Sequence, residues 1–287
     1  MYCSLNSYNS FENNSIKEFY NSTIINYNNK IILKSNHNSG FFSCCSTKLD
    51  DIIEYFNKYY KLPDDVDSSK QFSWYKNSDN DITYVYFKQP LSMSIKFNNH
   101  IDYKEDYQFH DFTSLHLKDI SPFIIKYFTP SYNIVDIKNT IKGKYNINPI
   151  NTCVLFYRGN DKNTEMSTCS YDDIIKYGNE VKLKNPNIRF MIQSDETEFI
   201  TKMCEVFPNS FYCKDEIRHM NKSNSTVDKK YKDLNFNFSQ KYLAITLIMA
   251  ECNYVICGSG NCSIWIIFYR QHTDNVYQFN NGRWIIS

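Results

Sequence analysis

Arginine is nearly missing from this chain: five arginines stand against twenty-seven lysines, and none precedes Arg158. Excess charge is missing too. A formal net charge of +1 removes the general electrostatic case for binding nucleic acid or an anionic membrane. The opening MYCSLNSYNS has neither the basic region nor the long apolar run of a signal peptide. The most apolar stretch, Tyr242 to Tyr269, is broken by Glu251, Asn253 and a glycine-containing turn, so no run reaches membrane-spanning length. These absences predict a soluble, cytoplasmic protein. Its ten cysteines include no C-x-x-C pair, and Cys44 and Cys45 are adjacent, which suits neither an easy disulfide nor a zinc site. Reduced thiols in the core are the expectation. No internal repeat is visible.

What is present is a large apolar and aromatic content, with 24 tyrosines and 21 phenylalanines, enough for a sizeable core. Asn, Ile, Lys and Tyr abound as in AT-rich coding, the habit of large DNA viruses. In the first half, Ile31 to Leu33 predicts a short strand. Leu49 to Tyr60 carries apolar residues on one helical face, Asp81 to Phe87 alternates like a strand, and Ser121-Pro122 opens a helix to Tyr127. Gly143 to Pro149 reads as a linker, dividing the chain into domains 1–145 and 146–287.

The second half is cleaner. Cys153 to Phe156 forms an apolar strand, and Ser170 with Asp173 makes a capping box for a helix to about Lys184. Ile188 to Ile192 is a strand. Asp195 with Glu198 makes a second capping box, opening a helix closed by Pro208. Lys214 to Asn237 reads as a long polar loop. Gln240 to Cys252 is an apolar helix, Tyr254 to Cys257 a strand, and Gly258-Ser259-Gly260-Asn261 a turn into a final helix. Strand and helix in alternation imply a parallel sheet covered on both faces.

Ligands in such sheets bind just beyond strand carboxyl ends. Two turns lie there. One begins at Arg158, whose planar fork grips phosphate bidentately where lysine offers a point charge. The other is the 258–261 turn, whose N–H groups and positive helix end attract anions. In the loop after Arg158, Asp161 or Glu165 could deprotonate a hydroxyl, and Lys162 could balance a departing phosphate. Asp195 could touch a nucleotide or simply order its turn.

The run RGNDKNTE, Arg158 to Glu165, resembles the strand-end motif of the α-1,6/α-1,2 and protein O-fucosyltransferase superfamily. The segments from Phe190 to Cys213 and from Tyr242 to Arg270 are similar to its next two blocks in the same order. Ser39-Gly40-Phe41-Phe42 and the helix after it occupy the place of the family's first glycine loop, and this region also resembles uncharacterised giant-virus proteins.

The resemblance implies an α/β fold of GT-B type, with two Rossmann-like domains, mostly parallel sheets and a nucleotide-sugar cleft between them. It implies inverting, metal-independent transfer from GDP-fucose or a related donor to a glycan or glycoprotein. Arg158 would hold the β-phosphate, with Glu165 or Asp161 as base and Lys162 beside it. Ser194 and Asp195 would support the nucleotide, and Gly258, Ser259, Gly260, Asn261 and Ser263 would cradle phosphate. The chain departs from the pattern at three positions: Phe156 stands for a histidine, Gly159 for a second arginine and Ile245 for an aspartate.

Two other readings compete. Asp65-Val66-Asp67 and Asp79-Asn80-Asp81 each offer the D-x-D of a metal-dependent GT-A transferase. A non-catalytic glycan- or nucleotide-binding protein could also keep this fold, its aromatic surplus suiting sugar stacking.

Overall fold

The computed structural model describes residues 16–18, 22–27, 30–76, 81–90 and 100–287. Two sheets organise a mixed α/β chain. The first has the order β1 (Ile16–Glu18), β2 (Ser22–Tyr27), β3 (Lys30–Ser35), β4 (Asp65–Asp67). Its β1–β2 and β2–β3 pairs are antiparallel and only β3–β4 is parallel. The expected mostly parallel sheet is thus not found in this half. Only two residues separate β2 from β3, and such a connection can join antiparallel strands alone. The amino-terminal segment MYCSLNSYNS lies outside the described residues.

Helix α1 (Phe41–Tyr59) covers this sheet and begins eight residues before the predicted apolar face. The predicted strand over 81–87 is instead a single helical turn, α2 (Thr83–Tyr86), set by the Asp81 carboxylate accepting from the Thr83 N–H at 2.7 Å. Helix α3 (Leu117–Tyr127) starts before the expected Ser121 and takes Pro122 into its interior. Burial of Ile120, Phe123, Ile124 and Tyr127 along one face offsets the lost backbone bond. Helix α4 (Tyr132–Lys144) runs through Gly143, where a linker was expected to begin.

The second sheet has the order β10-β9-β8-β5-β6-β7. Here β5 (Thr152–Tyr157), β6 (Arg189–Ser194), β7 (Ser210–Phe211), β8 (Tyr254–Gly258) and β9 (Val276–Asn280) are all parallel, and only β10 (Arg283–Ile286) is antiparallel. The β9–β10 hairpin follows what sequence reading took for the last helix. Its Asn281-Gly282 turn has φ of 49° and 81°, the left-handed pair that lets a two-residue turn match strand twist.

Strand β5 is buried on both faces. Val154 and Phe156 pack with α8 (Asn235–Glu251) and α9 (Asn261–Arg270), while Cys153, Leu155 and Tyr157 pack with α5 (Tyr171–Lys184) and α6 (Thr197–Val206). The first of these clusters continues into the amino-terminal half, where Trp265 meets Phe128 at 4.7 Å and Phe42 at 6.1 Å between ring centres. The expected 214–237 loop contains α7 (Val227–Lys230) and the start of α8. No helix among the described residues is long and apolar enough to cross a membrane.

Lys48 lies wholly enclosed in α1, its ammonium 5.7 Å from the Phe128 ring centre. Burial pulls its pKa from 10.5 down to about 8, partly opposed by Asp81. The unfolded chain therefore holds more protons between those values, so stability should rise as pH climbs from about 8 to 10.5. Lys48→Met should add about 2 kcal/mol near pH 7 by removing the buried charge, and should flatten that rise. Urea unfolding at pH 7 and pH 10 checks both. A less stable variant at pH 7 would show that the ammonium is held, not merely tolerated.

Candidate functional site

The chain runs from β5 to β6 to β7 along one side of the second sheet, then returns to β8 on the other side of β5. The carboxyl ends of β5 and β8 thus flank a topological switch point, where α/β sheets leave a crevice. Arg158 follows β5 there. Its Nε donates to Asp195 Oδ2 at 2.9 Å, and a terminal nitrogen donates to Asp161 Oδ1 at 2.9 Å. Burial opposes the charge, but Asp195, followed by Tyr242 and Asp161, outweighs it and holds the guanidinium's pKa above its ordinary value.

The turn beneath is tied down. Asp195 Oδ1 accepts from the Gly159 N–H at 3.1 Å, and its carbonyl accepts from Asn160 Nδ2 at 2.7 Å. The expected Asp195–Glu198 capping box is not formed. Helix α6 starts at Thr197 with no side-chain cap, because the Asp195 carboxylate is spent on Arg158 and Gly159. The Ser170–Asp173 box forms as expected. Ser194 is buried, its hydroxyl accepts from the Glu196 N–H at 3.0 Å, and with Arg158 and Asp195 it lines a small pocket adjoining the cleft.

Lys162 pairs with Glu165, and its side chain lies along Gly260. The two turns singled out from sequence therefore meet. At Gly260 φ is +142°, a backbone that only glycine takes readily. The hydroxyls of the second turn face inward. Ser259 Oγ bonds the Phe279 carbonyl at 3.1 Å, and Ser263 Oγ donates to the Gly258 carbonyl at 2.5 Å. Asn261 Oδ1 accepts from Ser46 of α1 at 2.7 Å. What this turn offers a ligand is backbone. The N–H groups of Asn261, Cys262 and Ser263 precede the first helical bond of α9, from Ile264 to Gly260.

These groups line a cleft of about 380 Å³. Opposite stands the start of α1, Gly40 to Ser43, a second helix amino terminus with no side-chain cap. Asn224 to Thr226, with Asp228 and Lys229, close one side, and Phe156 and Tyr242 form apolar wall. Sequence reading missed Ser43, Asp228, Lys229 and Tyr242, which tertiary folding alone brings here.

Side chains in the cleft balance: Arg158, Lys162 and Lys229 face Asp161, Glu165 and Asp228. The N–H groups at the amino end of α9 therefore tip its preference towards an anion, whereas at α1 the Phe41 N–H is already donated to the Tyr75 hydroxyl at 2.7 Å.

The three departures also have places. Phe156 lines the cleft, and Ile245 is wholly buried in the core, away from it. At Gly159 any Cβ would overlap Glu196 and the Tyr157 ring.

Among the D-x-D residues, Asp65 accepts from the Tyr84 hydroxyl, Asp67 pairs with Lys34 at 3.3 Å, and Asp81 accepts from the Ser68 and Thr83 N–H groups. Asp79 and Asn80 lie outside the described residues. No group of three or more His, Cys, Asp or Glu side chains placed to hold a metal occurs among the described residues.

No family model matches the chain, and no curated protein matches it in sequence. Solved structures do match. A fucosyltransferase NodZ from Bradyrhizobium superposes with a TM-score of 0.55 at 10% identity, over 89% of this chain and 97% of that one. NodZ α-1,6-fucosyltransferase co-crystallised with GDP gives 0.53 at 10% identity over the same shares. The same enzyme soaked with GDP-fucose gives 0.52 at 9% identity, over 89% and 98%. The fold is of GT-B type. Nothing in these likenesses supports the giant-virus resemblance.

Proposed function

We propose that this protein is an inverting glycosyltransferase. It takes a sugar from a nucleoside-diphosphate donor, fucose from GDP-fucose first among them, and passes it to a hydroxyl of a glycan or glycoprotein. Residues 146–287 bind the donor and residues 1–145 form the acceptor side. One observation carries the reading: Arg158, Lys162 and the amino end of α9 converge in one cleft at the ends of adjacent strands β5 and β8. The neighbours' GDP and GDP-fucose guide the choice of donor.

In this reading Arg158 and the N–H groups of residues 261 to 263 hold the diphosphate, and Lys162 meets the charge that grows as the sugar leaves. Asp195 and Asp161 aim Arg158. Cationic side chains and helix ends do the work of a metal ion, so transfer is metal-independent.

Thermal shift with GDP tests the reading. At one hundred times its Kd a ligand adds about 2.7 kcal/mol of stability, and EDTA should leave the shift and the turnover intact. If no nucleoside diphosphate or nucleotide sugar moves the melting temperature at millimolar concentration, the reading fails. A preference for UDP overturns the donor alone, and loss in EDTA restored by manganese overturns metal independence. Binding without donor turnover would favour the non-catalytic alternative.

A further inference from the structure

Both loop carboxylates of the cleft already face a cation, Asp161 on Arg158 and Glu165 on Lys162. Resting on the transferase reading, we propose that the acceptor's proton is taken by His37 through the hydroxyl of Ser43.

Ser43 is the third residue of α1 and lines the cleft, and its Oγ lies 2.9 Å from His37 Nε2. The loop carrying His37 is fastened to the same helix, since the His37 carbonyl accepts from Cys44 Sγ at 3.4 Å. One turn along α1, Ser46 donates to Asn261 at 2.7 Å and accepts from Trp265 Nε1 at 2.9 Å. Residues three apart on a helix are neighbours on one face. Ser43 therefore sits next to the amino end of α9, where the diphosphate and the sugar carbon bonded to it would lie. The groups around His37 suit a neutral imidazole. Burial lowers its pKa and Glu105 opposes this in part. Burial also pushes the Cys44 thiol up, keeping it uncharged, and Lys70 contributes its backbone carbonyl to Asn38.

The step balances. The acceptor oxygen bonds the anomeric carbon as that carbon's bond to the β-phosphate oxygen breaks, and the electron pair leaves with the diphosphate. The acceptor's proton passes to Ser43 Oγ while the Ser43 proton passes to His37 Nε2, so Ser43 ends unchanged. His37 ends as imidazolium, a charge that Glu105 favours, and later loses its proton to solvent. This route requires the tautomer with the proton on Nδ1 before reaction.

The test compares His37→Gln, Ser43→Ala, Ser43→Thr and Glu165→Gln by calorimetry with GDP and by kcat/KM against pH. His37→Gln and Ser43→Ala should leave GDP affinity within about twofold and cut kcat by roughly 10²–10⁴-fold, the usual worth of a general base. His37→Gln should also erase the acid limb, the fall in kcat/KM as pH drops through the His37 pKa. Ser43→Thr keeps the hydroxyl and should recover most of the rate. Glu165→Gln should keep the acid limb. An acid limb that survives His37→Gln, or vanishes with Glu165→Gln, overturns the proposal and leaves the transferase reading standing. A parent protein that neither binds GDP nor turns over any donor overturns both.

Discussion

Arg158→Ala should raise the Kd for GDP roughly 30- to 150-fold, a loss of about 2–3 kcal/mol, the worth of a charged hydrogen-bond pair to phosphate. Turnover should fall at least as far, because the contact is present in the ground state and strengthens as the diphosphate gains charge. Arg158→Lys should restore only part of each, since a point charge cannot reproduce the two-pronged grip.

The experiment has a trap. Asp195 is 3% exposed and faces the guanidinium at 2.9 Å. Removing Arg158 strands that carboxylate, and an orphaned buried charge can cost about 3–5 kcal/mol of stability by itself. The double variant Arg158→Ala/Asp195→Asn removes the stranded charge. It should recover much of the melting temperature and none of the nucleotide affinity. If GDP binds the double variant as tightly as the parent, Arg158 serves the turn and not the ligand.

The contrast between Arg158 and Asp195 shows how far sequence could reach. The place of Arg158 at the end of β5 was legible because a scarce residue type stood directly after an apolar strand. Asp195 orders its turn, one of the two roles open to it, but the capping box was a misreading, because a carboxylate three residues before a glutamate looks the same whether it caps its helix or reaches a neighbouring strand. Only the placement of β5 beside β6 decides. The Ser170–Asp173 box, which has no such rival partner, formed as read. The Asn281-Gly282 hairpin was a local signal simply passed over. Over 81–87 the apolar spacing fits a strand and a helical turn alike, and the Asp81 bond to Thr83 settles it. Ser43, Lys229 and Tyr242 carry no local mark at all. They reach the cleft through packing of α1, α7 and α8 around the second sheet, so no window of sequence could have gathered them.

Restoring the arginine that the resemblance would put at position 159 should break the protein rather than improve it. A Cβ at Gly159 overlaps the Glu196 carboxylate on one side and the Tyr157 ring on the other. Neither can step aside freely. Glu196 is fully buried and accepts from the Tyr171 hydroxyl at 2.5 Å, and Tyr157 stacks on Phe199 at 4.8 Å. Gly159→Ala should therefore cost about 1–3 kcal/mol, the usual toll of overpacking. Gly159→Arg should cost more than about 3 kcal/mol, since it places a guanidinium and its stem where even a Cβ overlaps two side chains. Burial already raises the pKa of Glu196, and its second oxygen has no partner, so truncating it removes an ill-satisfied group as well as an obstacle. Glu196→Ala should for that reason recover about 1 kcal/mol of the Gly159→Ala loss, a coupling that a double-mutant cycle in urea would read. Recovery should stay incomplete because the Tyr157 ring remains. A Gly159→Arg protein that unfolds at the parent's urea midpoint and binds GDP more tightly would show that the turn can open. Glu196 would then be a removable plug over a second phosphate-binding position.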